Sequence, residues 1–598
     1  MPASLRQQKA ACMKEITVAR SPRQPLRCLL VSPEFPKQSF WNWTSVCKLR
    51  GKKSMGPPLG LLTLAAILPQ NWKFRLADLN TRKLADRDLR WADVVCVGGM
   101  GIQQEGCLEV VRLAHEHGKF VAVGGADPTS QPSVYRAADA LVLGEAETNV
   151  PLWLAAWEQG APRGTFQGGG APDLGTSPVP RFDLARLDDY LCASIQFSRG
   201  CPFNCEFCAV TELFGHAPRT KTPEQVCREL EALRQLGYRG WVDFVDDNFI
   251  GHKRSATQML TALLDWCKRR DYPFFFSTEV SLNLAEDPEL MSLMAAVDFR
   301  YVFTGIETTE AGALQGAQKP VNTRRPIQER IRALNEHGLL VTAGFVLGFD
   351  GESDNAADAI LSCVAENALP VAMVSLLSAL PLTQLTRRLA EEGRLTDLAG
   401  NPVAPGELFE MRIDRGLGTV LDQALIGLNF TTERDRGTIL KDQMRIVDTL
   451  YAPANFMARA TAAVRRIAQV PKHQPSLSEA WVDLLGFIRL CLFMTRRPEV
   501  RRHFWRFMRE SWQLGKDEFT MAGALATLYT HFLHMRTLFV ESLDQRRSRE
   551  LGLDSAGRGE RRRDDAHLEP VRCRALPATS PDLHTEPAGE PAGTEREV

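Results

Sequence analysis

The chain has 598 residues, 44% hydrophobic and 24% charged, an ordinary globular balance with room for roughly three or four domains. Its 72 Lys and Arg match 72 Asp and Glu, so no overall positive field recruits nucleic acid. No uncharged apolar run reaches the length of about 18 residues that a bilayer span needs, and fourteen cysteines without framework spacing point to a reducing compartment, which makes a cytoplasmic location the expectation.

Residues 1–24 lack the apolar stretch of a secretory signal and read as a flexible N-terminus. Residues 25–157 alternate strand and helix. Strands are expected at 28–32, 74–78, 94–97, 120–123 and 140–143, with helices over 58–68 and 104–117. Short β-rich runs separated by helices predict a doubly wound, Rossmann-like α/β domain with a parallel sheet. Its strands end in the turns Gly98-Gly99-Met100, Gly124-Gly125 and Gly144-Glu145. Such sheets bind ligands beyond the carboxyl ends of their strands, where glycine lets a ligand approach the backbone.

A Gly- and Pro-rich linker over 158–193 leads to a second α/β domain over 194–395. Six strands are expected there, at 194–198, 241–245, 274–279, 302–305, 340–346 and 371–377, alternating with helices. Six βα units predict an open, partial (β/α)6 version of the (β/α)8 barrel. Directly after the first strand stands Ser198-Arg-Gly-Cys-Pro-Phe-Asn-Cys-Glu-Phe-Cys, with Cys201, Cys205 and Cys208 spaced C-x3-C-x2-C and no fourth cysteine nearby. Thiolates ligate iron–sulfur clusters, and three of them leave one iron of a cubane open. A structural zinc site would want a fourth Cys or His. Acids sit at the following strand ends: Asp246-Asp247-Asn248, Glu279 and Glu307. A glycine-containing strand carries Gly344 and Gly348. Each acid alone is equally a helix cap or a surface charge, and Arg219 and Lys221 read either as anion contacts or as solvated turn residues.

The cysteine run, with aromatic Phe207 immediately before the third cysteine, resembles the signature of the radical S-adenosylmethionine (SAM) enzymes. The resemblance implies a 4Fe-4S cluster on Cys201, Cys205 and Cys208 that cleaves S-adenosylmethionine to a 5′-deoxyadenosyl radical. It places Asp246, Asp247, Asn248, Glu279 and Glu307 toward the amino group and ribose of the cofactor, and Gly344 and Gly348 toward its adenine and ribose. The order of a small α/β domain before the cysteines is similar to the cobalamin-binding class. That implies cobalamin against Gly98, Met100, Gly124, Gly125 and Glu145. The axial-histidine motif of cobalamin domains is missing, since Val31-Ser-Pro-Glu-Phe-Pro stands in its place and His115 and His117 have no motif around them.

Residues 396–541 read as a helical domain and 542–598, rich in Pro, Ala, Thr and Glu, as a disordered tail. Residues 481–494 are strongly apolar, and Arg496-Arg497, Arg501-Arg502 and His503-Phe-Trp-Arg-Phe follow. This is either a core helix with a basic neighbour or an amphipathic surface that meets the inner membrane peripherally. Val245-Asp-Asp-Asn-Phe-Ile-Gly, Phe303-Thr-Gly-Ile-Glu-Thr and Leu377-Ser-Ala-Leu-Pro resemble the subfamily with a helical C-terminal domain that includes hopanoid C-methylating enzymes. The expected activity is cobalamin-dependent methylation of an unactivated carbon in a lipid or other small molecule. A one-electron reductant such as flavodoxin or ferredoxin would feed it. Non-methylating radical chemistry, or an iron–sulfur or zinc module without catalysis, are the alternatives.

Overall fold

The computed structural model describes residues 21–550 except 37–38, 40–41, 399, 405, 408, 413–425 and 469–470. Residues 1–20 of the expected flexible N-terminus and 551–598 of the expected tail lie outside the described residues. The first sheet contains β1 (Arg27–Ser32), β2 (Lys73–Asp78), β3 (Val94–Gly98), β4 (Phe120–Gly124), β5 (Ala140–Val142) and β6 (Gly164–Phe166). Its order is β2-β1-β3-β4-β5-β6, and every pairing is parallel. The central strands are apolar on both faces because helices cover both. Leu30, Cys96 and Trp153 belong to one core layer, Leu29, Val95 and Val111 to the other. Five strands are expected from the sequence and six are present: the start of the 158–193 linker supplies β6. Three residues are too few to show a strand period.

The second sheet orders its strands β14-β13-β12-β11-β10-β7, again all parallel. They are β7 (Ala193–Ile195), β10 (Gly240–Phe244), β11 (Phe274–Glu279), β12 (Phe299–Glu307), β13 (Leu340–Leu347) and β14 (Ala372–Leu376). This is the partial barrel read from the sequence. Its first strand is shorter than the expected 194–198. The Asp246 carboxylate takes the backbone N–H groups of Phe197 and Ser198, which peels the chain off the sheet. The chain then forms a two-stranded antiparallel ribbon of β8 (Ser198–Arg199) and β9 (Arg219–Thr220). The helix Pro223–Gln235 begins on a capping box: Gln225 N–H donates to Thr222 Oγ1 at 3.3 Å and Thr222 N–H to Gln225 Oε1 at 2.8 Å. The Gln225 amide also donates to the carbonyls of Leu174 and Ser177, tying the linker to the barrel.

Helices Arg436–Leu450, Pro453–Arg466, Leu477–Thr495, Pro498–Leu514 and Lys516–Glu550 follow. The last one runs beyond the expected boundary at 541, because Phe539 and Leu543 are fully buried and hold it down. Leu490, Phe504, Tyr529 and Phe532 share one continuous core with barrel residues Phe244, Val302 and Val374. The Gln443 amide donates to the Val374 carbonyl at 3.2 Å and the Tyr451 hydroxyl to the Ala372 carbonyl. Helical residues thus cap edge strand β14, whose open carbonyls would otherwise invite another strand.

Candidate active site

The three cysteines lie on the loop after β8 at the C-terminal rim of the barrel. Cys205 is buried, Cys201 and Cys208 half-buried. The Glu206 N–H donates to the Ala317 carbonyl at 3.2 Å, and the Cys201 N–H to the Gly215 carbonyl at 3.3 Å, so both ends of the loop are held. Burial pushes the Cys205 thiol up to about 11, against the pull of Lys319, and the Cys208 thiol up to about 12, with Cys205 and Cys201 adding to the shift. Cys201 stands close enough to act on both of those thiols, so the three share a site. Among the described residues no three His, Cys, Asp or Glu side chains stand together as ligands of a single ion. A cubane of four irons and four sulfides takes its cysteines farther apart than one ion does.

The expected partners divide into four groups. Asn248 stands beside the loop, its amide nitrogen 3.8 Å from Cys201 Sγ. Asp247 is next to it, with one carboxylate oxygen buried and without a partner. Burial pushes its carboxyl up to about 6, opposed by the Gly200 N–H and the charge of Arg199.

Phe207, Glu307 and Gly344 line a small cavity of about 220 Å3. The Phe207 ring packs edge-on against Phe349 at 5.5 Å. Glu307 sits at a bulge with φ 66° and pairs with Lys319, whose ammonium also donates to the Gly305 carbonyl at 3.0 Å. Burial opposes the charge of Lys319, but Glu307 and the thiols of Cys205 and Cys208 outweigh it and hold the ammonium above its usual range.

Gly98, Met100, Gly124, Gly125, Glu145 and Glu279 open on a second cavity of about 1730 Å3. This space joins the carboxyl ends of the first sheet to the barrel interior at Asp243, Ser277 and Phe303, and to Phe487 and Phe519 of the C-terminal helices. It exceeds the roughly 300–1,000 Å3 of an ordinary ligand pocket. The two cavities share Phe303 and Met373 as a partition. Glu279 faces the large cavity. Enclosure there pushes its carboxyl up to about 8, with Asp243, Asp247 and Asp246 adding to the shift. Gly125 has φ 107°, and a Cβ there would lie 3.2 Å from the Gly99 carbonyl. Glycine is therefore required by the turn itself, before any ligand is considered.

Asp246 and Gly348 line neither cavity. Asp246 is fully buried and spends its carboxylate on the Phe197 and Ser198 backbone and the Ser198 hydroxyl. The Gly348 N–H donates to Glu352 at 3.0 Å, and a Cβ there would meet Leu428 at 2.5 Å. Glu145, although at the cavity wall, is claimed by Arg199 at 2.8 Å and Arg219 at 2.6 Å, and Arg199 also holds Glu147 at 2.8 Å. Arg219 and Lys221, read as anion contacts or turn charges, are instead structural, with Lys221 paired to buried Glu229. His115 bonds Asp139 at 3.0 Å, at the start of β5, and so lies at the opposite end of the sheet from the glycine turns. Sequence reasoning missed Lys319, Arg199 and Asp243. Arg199 adjoins the cysteine run and was within reach of a local reading. Lys319 and Asp243 carry no local signal.

The radical SAM superfamily profile matches residues 195–364, and a domain of unknown function, DUF4070, matches 383–545. An uncharacterized methyltransferase, sll1242, of Synechocystis sp. is 44% identical over 73% of this chain and 78% of its own length. The hopanoid C-2 methylase of Rhodopseudomonas palustris is 36% identical over 63% of this chain and 72% of its own. Among solved structures, the methyltransferase TsrM of Kitasatospora setae, with cobalamin and a [4Fe-4S] cluster bound, superposes with a TM-score of 0.52 at 19% identity, covering 64% of this chain and 80% of that one. The cobalamin-dependent enzyme OxsB superposes with a TM-score of 0.52 at 13% identity, over 88% and 84%. These two likenesses concern the fold.

Proposed function

The chain belongs to the radical SAM superfamily and, within it, to the family of the hopanoid C-2 methylase; from that premise we propose that it is a cobalamin-dependent radical methylase acting on an unactivated carbon of an apolar small molecule. Cys201, Cys205 and Cys208 would hold the 4Fe-4S cluster, and iron would draw the protons from the thiols, those of Cys205 and Cys208 included although burial raises them. The open Asp247 oxygen and Asn248 would orient the ammonium of S-adenosylmethionine beside them. Phe207, Glu307 and Gly344 would hold its other end in the small cavity, whose size suits part of a ligand. The turns at Gly98–Met100 and Gly124–Gly125 would carry cobalamin in the large one, with no histidine of their own domain as a ligand. When bound, these groups supply the electron, the radical source and the methyl group. The chain's own work is to place them around two adjoining cavities parted by Phe303 and Met373.

The observation that carries this reading is the single cavity open at once to the glycine turns of the first sheet and to the barrel interior. Radical SAM enzymes need an external reductant, and we assign that role to a flavodoxin or ferredoxin in a reducing cytoplasm. The test is anaerobic reconstitution with iron, sulfide and hydroxocobalamin, followed by desalting. Stoichiometric cobalt, a brown chromophore and cleavage of S-adenosylmethionine are expected, and Cys201→Ala/Cys205→Ala/Cys208→Ala should lose the chromophore and the cleavage. Cleavage without retained cobalamin would replace methylation by another radical reaction, and iron–sulfur absorbance with bound iron and sulfide surviving the triple change would overturn the cluster site.

A further inference from the structure

Most of the large apolar side chains that the described fold leaves exposed fall on two consecutive helices, Leu477–Thr495 and Pro498–Leu514. Leu477, Trp481, Leu484, Ile488 and Leu492 recur at steps of three and four residues and form one stripe. Leu477 is 93% exposed and Trp481 62%. On the next helix Trp505 and Trp512 lie seven residues apart on one face, Trp512 being 68% exposed. The Trp505 indole donates to Thr495 Oγ1 at 3.1 Å, which joins the two faces into one surface. Arg501, Arg502, Arg506 and Arg509 are exposed around those tryptophans, and none is paired with a carboxylate among the described residues. Tryptophan with arginine around an apolar stripe is the composition of a helix lying in a lipid headgroup layer, where indole rings and guanidinium stems are half in hydrocarbon and half in water. A second copy of the chain would fit worse, because a two-fold contact would set these arginines against their own counterparts.

The surface continues inward. The Trp512 ring stands 5.1 Å from Phe519, and Phe519 stands 5.6 Å from Phe487. Phe519 and Phe487 line the large cavity, as do Val482 and Leu484, which are themselves exposed. We propose that this two-helix face docks on an anionic bilayer surface and holds the mouth of the large cavity against the lipid. Docking itself is independent of the methylation reading. Only its purpose, to bring an apolar substrate to the cavity, rests on that reading.

The test uses the full chain and sedimentation with phosphatidylcholine vesicles, with and without phosphatidylglycerol. Co-sedimentation is expected with the anionic vesicles and should weaken as salt rises. Trp481→Glu/Ile488→Glu changes two stripe residues that do not line the cavity. It should weaken vesicle binding by more than about tenfold, while S-adenosylmethionine cleavage and the urea midpoint stay at wild-type values. The proposal is overturned if the wild type stays in the supernatant, if the double variant binds equally, or if binding ignores both phosphatidylglycerol and salt. A wild-type dimer that the double variant converts to monomer, without vesicle binding, would assign the face to self-association instead. Cleavage is read without vesicles, so failure of the catalytic reading is distinguishable from failure of docking.

Discussion

Lys319 and Glu307 form an ion pair at the barrel rim with side chains 12% and 10% exposed. Removing one member of such a pair leaves the other charged and desolvated, at a cost of about 3–5 kcal/mol, whereas replacing both is often close to neutral. Lys319→Met should therefore lower the urea midpoint strongly, and Lys319→Met/Glu307→Gln should restore most of the loss. The acids of the large cavity make a different prediction. Desolvation raises half-buried Asp243 to about 6, against a hydrogen bond from Ser277. Glu279, whose side chain is exposed to the cavity and not packed in a core, is raised to about 8 by desolvation within that cavity. Their ordinary values, near those of the unfolded chain, are about 3.9 and 4.3. Between about pH 4 and pH 8 the folded state thus binds more protons than the unfolded state, and stability falls as pH rises. Asp243→Asn/Glu279→Gln should be more stable than wild type at alkaline pH, with the gap closing below about pH 4 as both acids protonate in either state. Denaturant midpoints of the cofactor-free protein across this range check it. The cysteines were legible because their spacing is local. Lys319 was not, because only the fold returns it to Cys205. Asp246 was legible in place but not in role, because its partners are backbone N–H groups that no sequence pattern marks.

The short ribbon of β8 and β9 carries Arg199 and Arg219 into the acidic turn after β5, where Glu145 and Glu147 have side chains only 6% and 7% exposed. This network fastens the first sheet to the strand that leads into the cysteine loop, so it sets how the glycine turns face the barrel. Arg199→Ala should destabilise the protein by about 3–5 kcal/mol, since buried Glu147 loses its cation and Glu145 keeps only Arg219. Arg199→Met with Glu147→Gln, which leaves the Glu145–Arg219 pair in place, should recover much of it. Equilibrium urea unfolding separates these outcomes, and equal midpoints for Arg199→Ala and the double variant would remove the buried-charge argument. Sequence periodicity found the long strands and the helices. It extended the first barrel strand too far because the Asp246 carboxylate, not a neighbouring strand, takes the Phe197 and Ser198 N–H groups.

The order of parts along the chain was legible from composition and periodicity, while their fusion was not. The barrel and the C-terminal helices share one core, and Gln443 and Tyr451 take carbonyls of edge strand β14. A chain ended at residue 395 would expose Val374 and its neighbours together with those carbonyls. It should aggregate or unfold rather than yield a free-standing barrel, which soluble expression and thermal unfolding would reveal. A soluble, cooperatively melting fragment would show that the helices are dispensable for folding. Apolar spacing marks the face of a helix that is buried, but not which other part of the chain buries it.

Phe303 and Met373 separate the two cavities by the thickness of a side chain, with Phe303 Cζ 2.9 Å from where a Cβ on Gly344 would stand. Such a thin wall bears on coupling stoichiometry. On the proposed placement, a radical formed in the small cavity would have to reach a target in the large one before it found something else to attack. Phe303→Ala merges the two compartments and should waste the oxidant, with more 5′-deoxyadenosine formed per methylated product. The ratio of those two yields, more than either rate, reports how well the partition works.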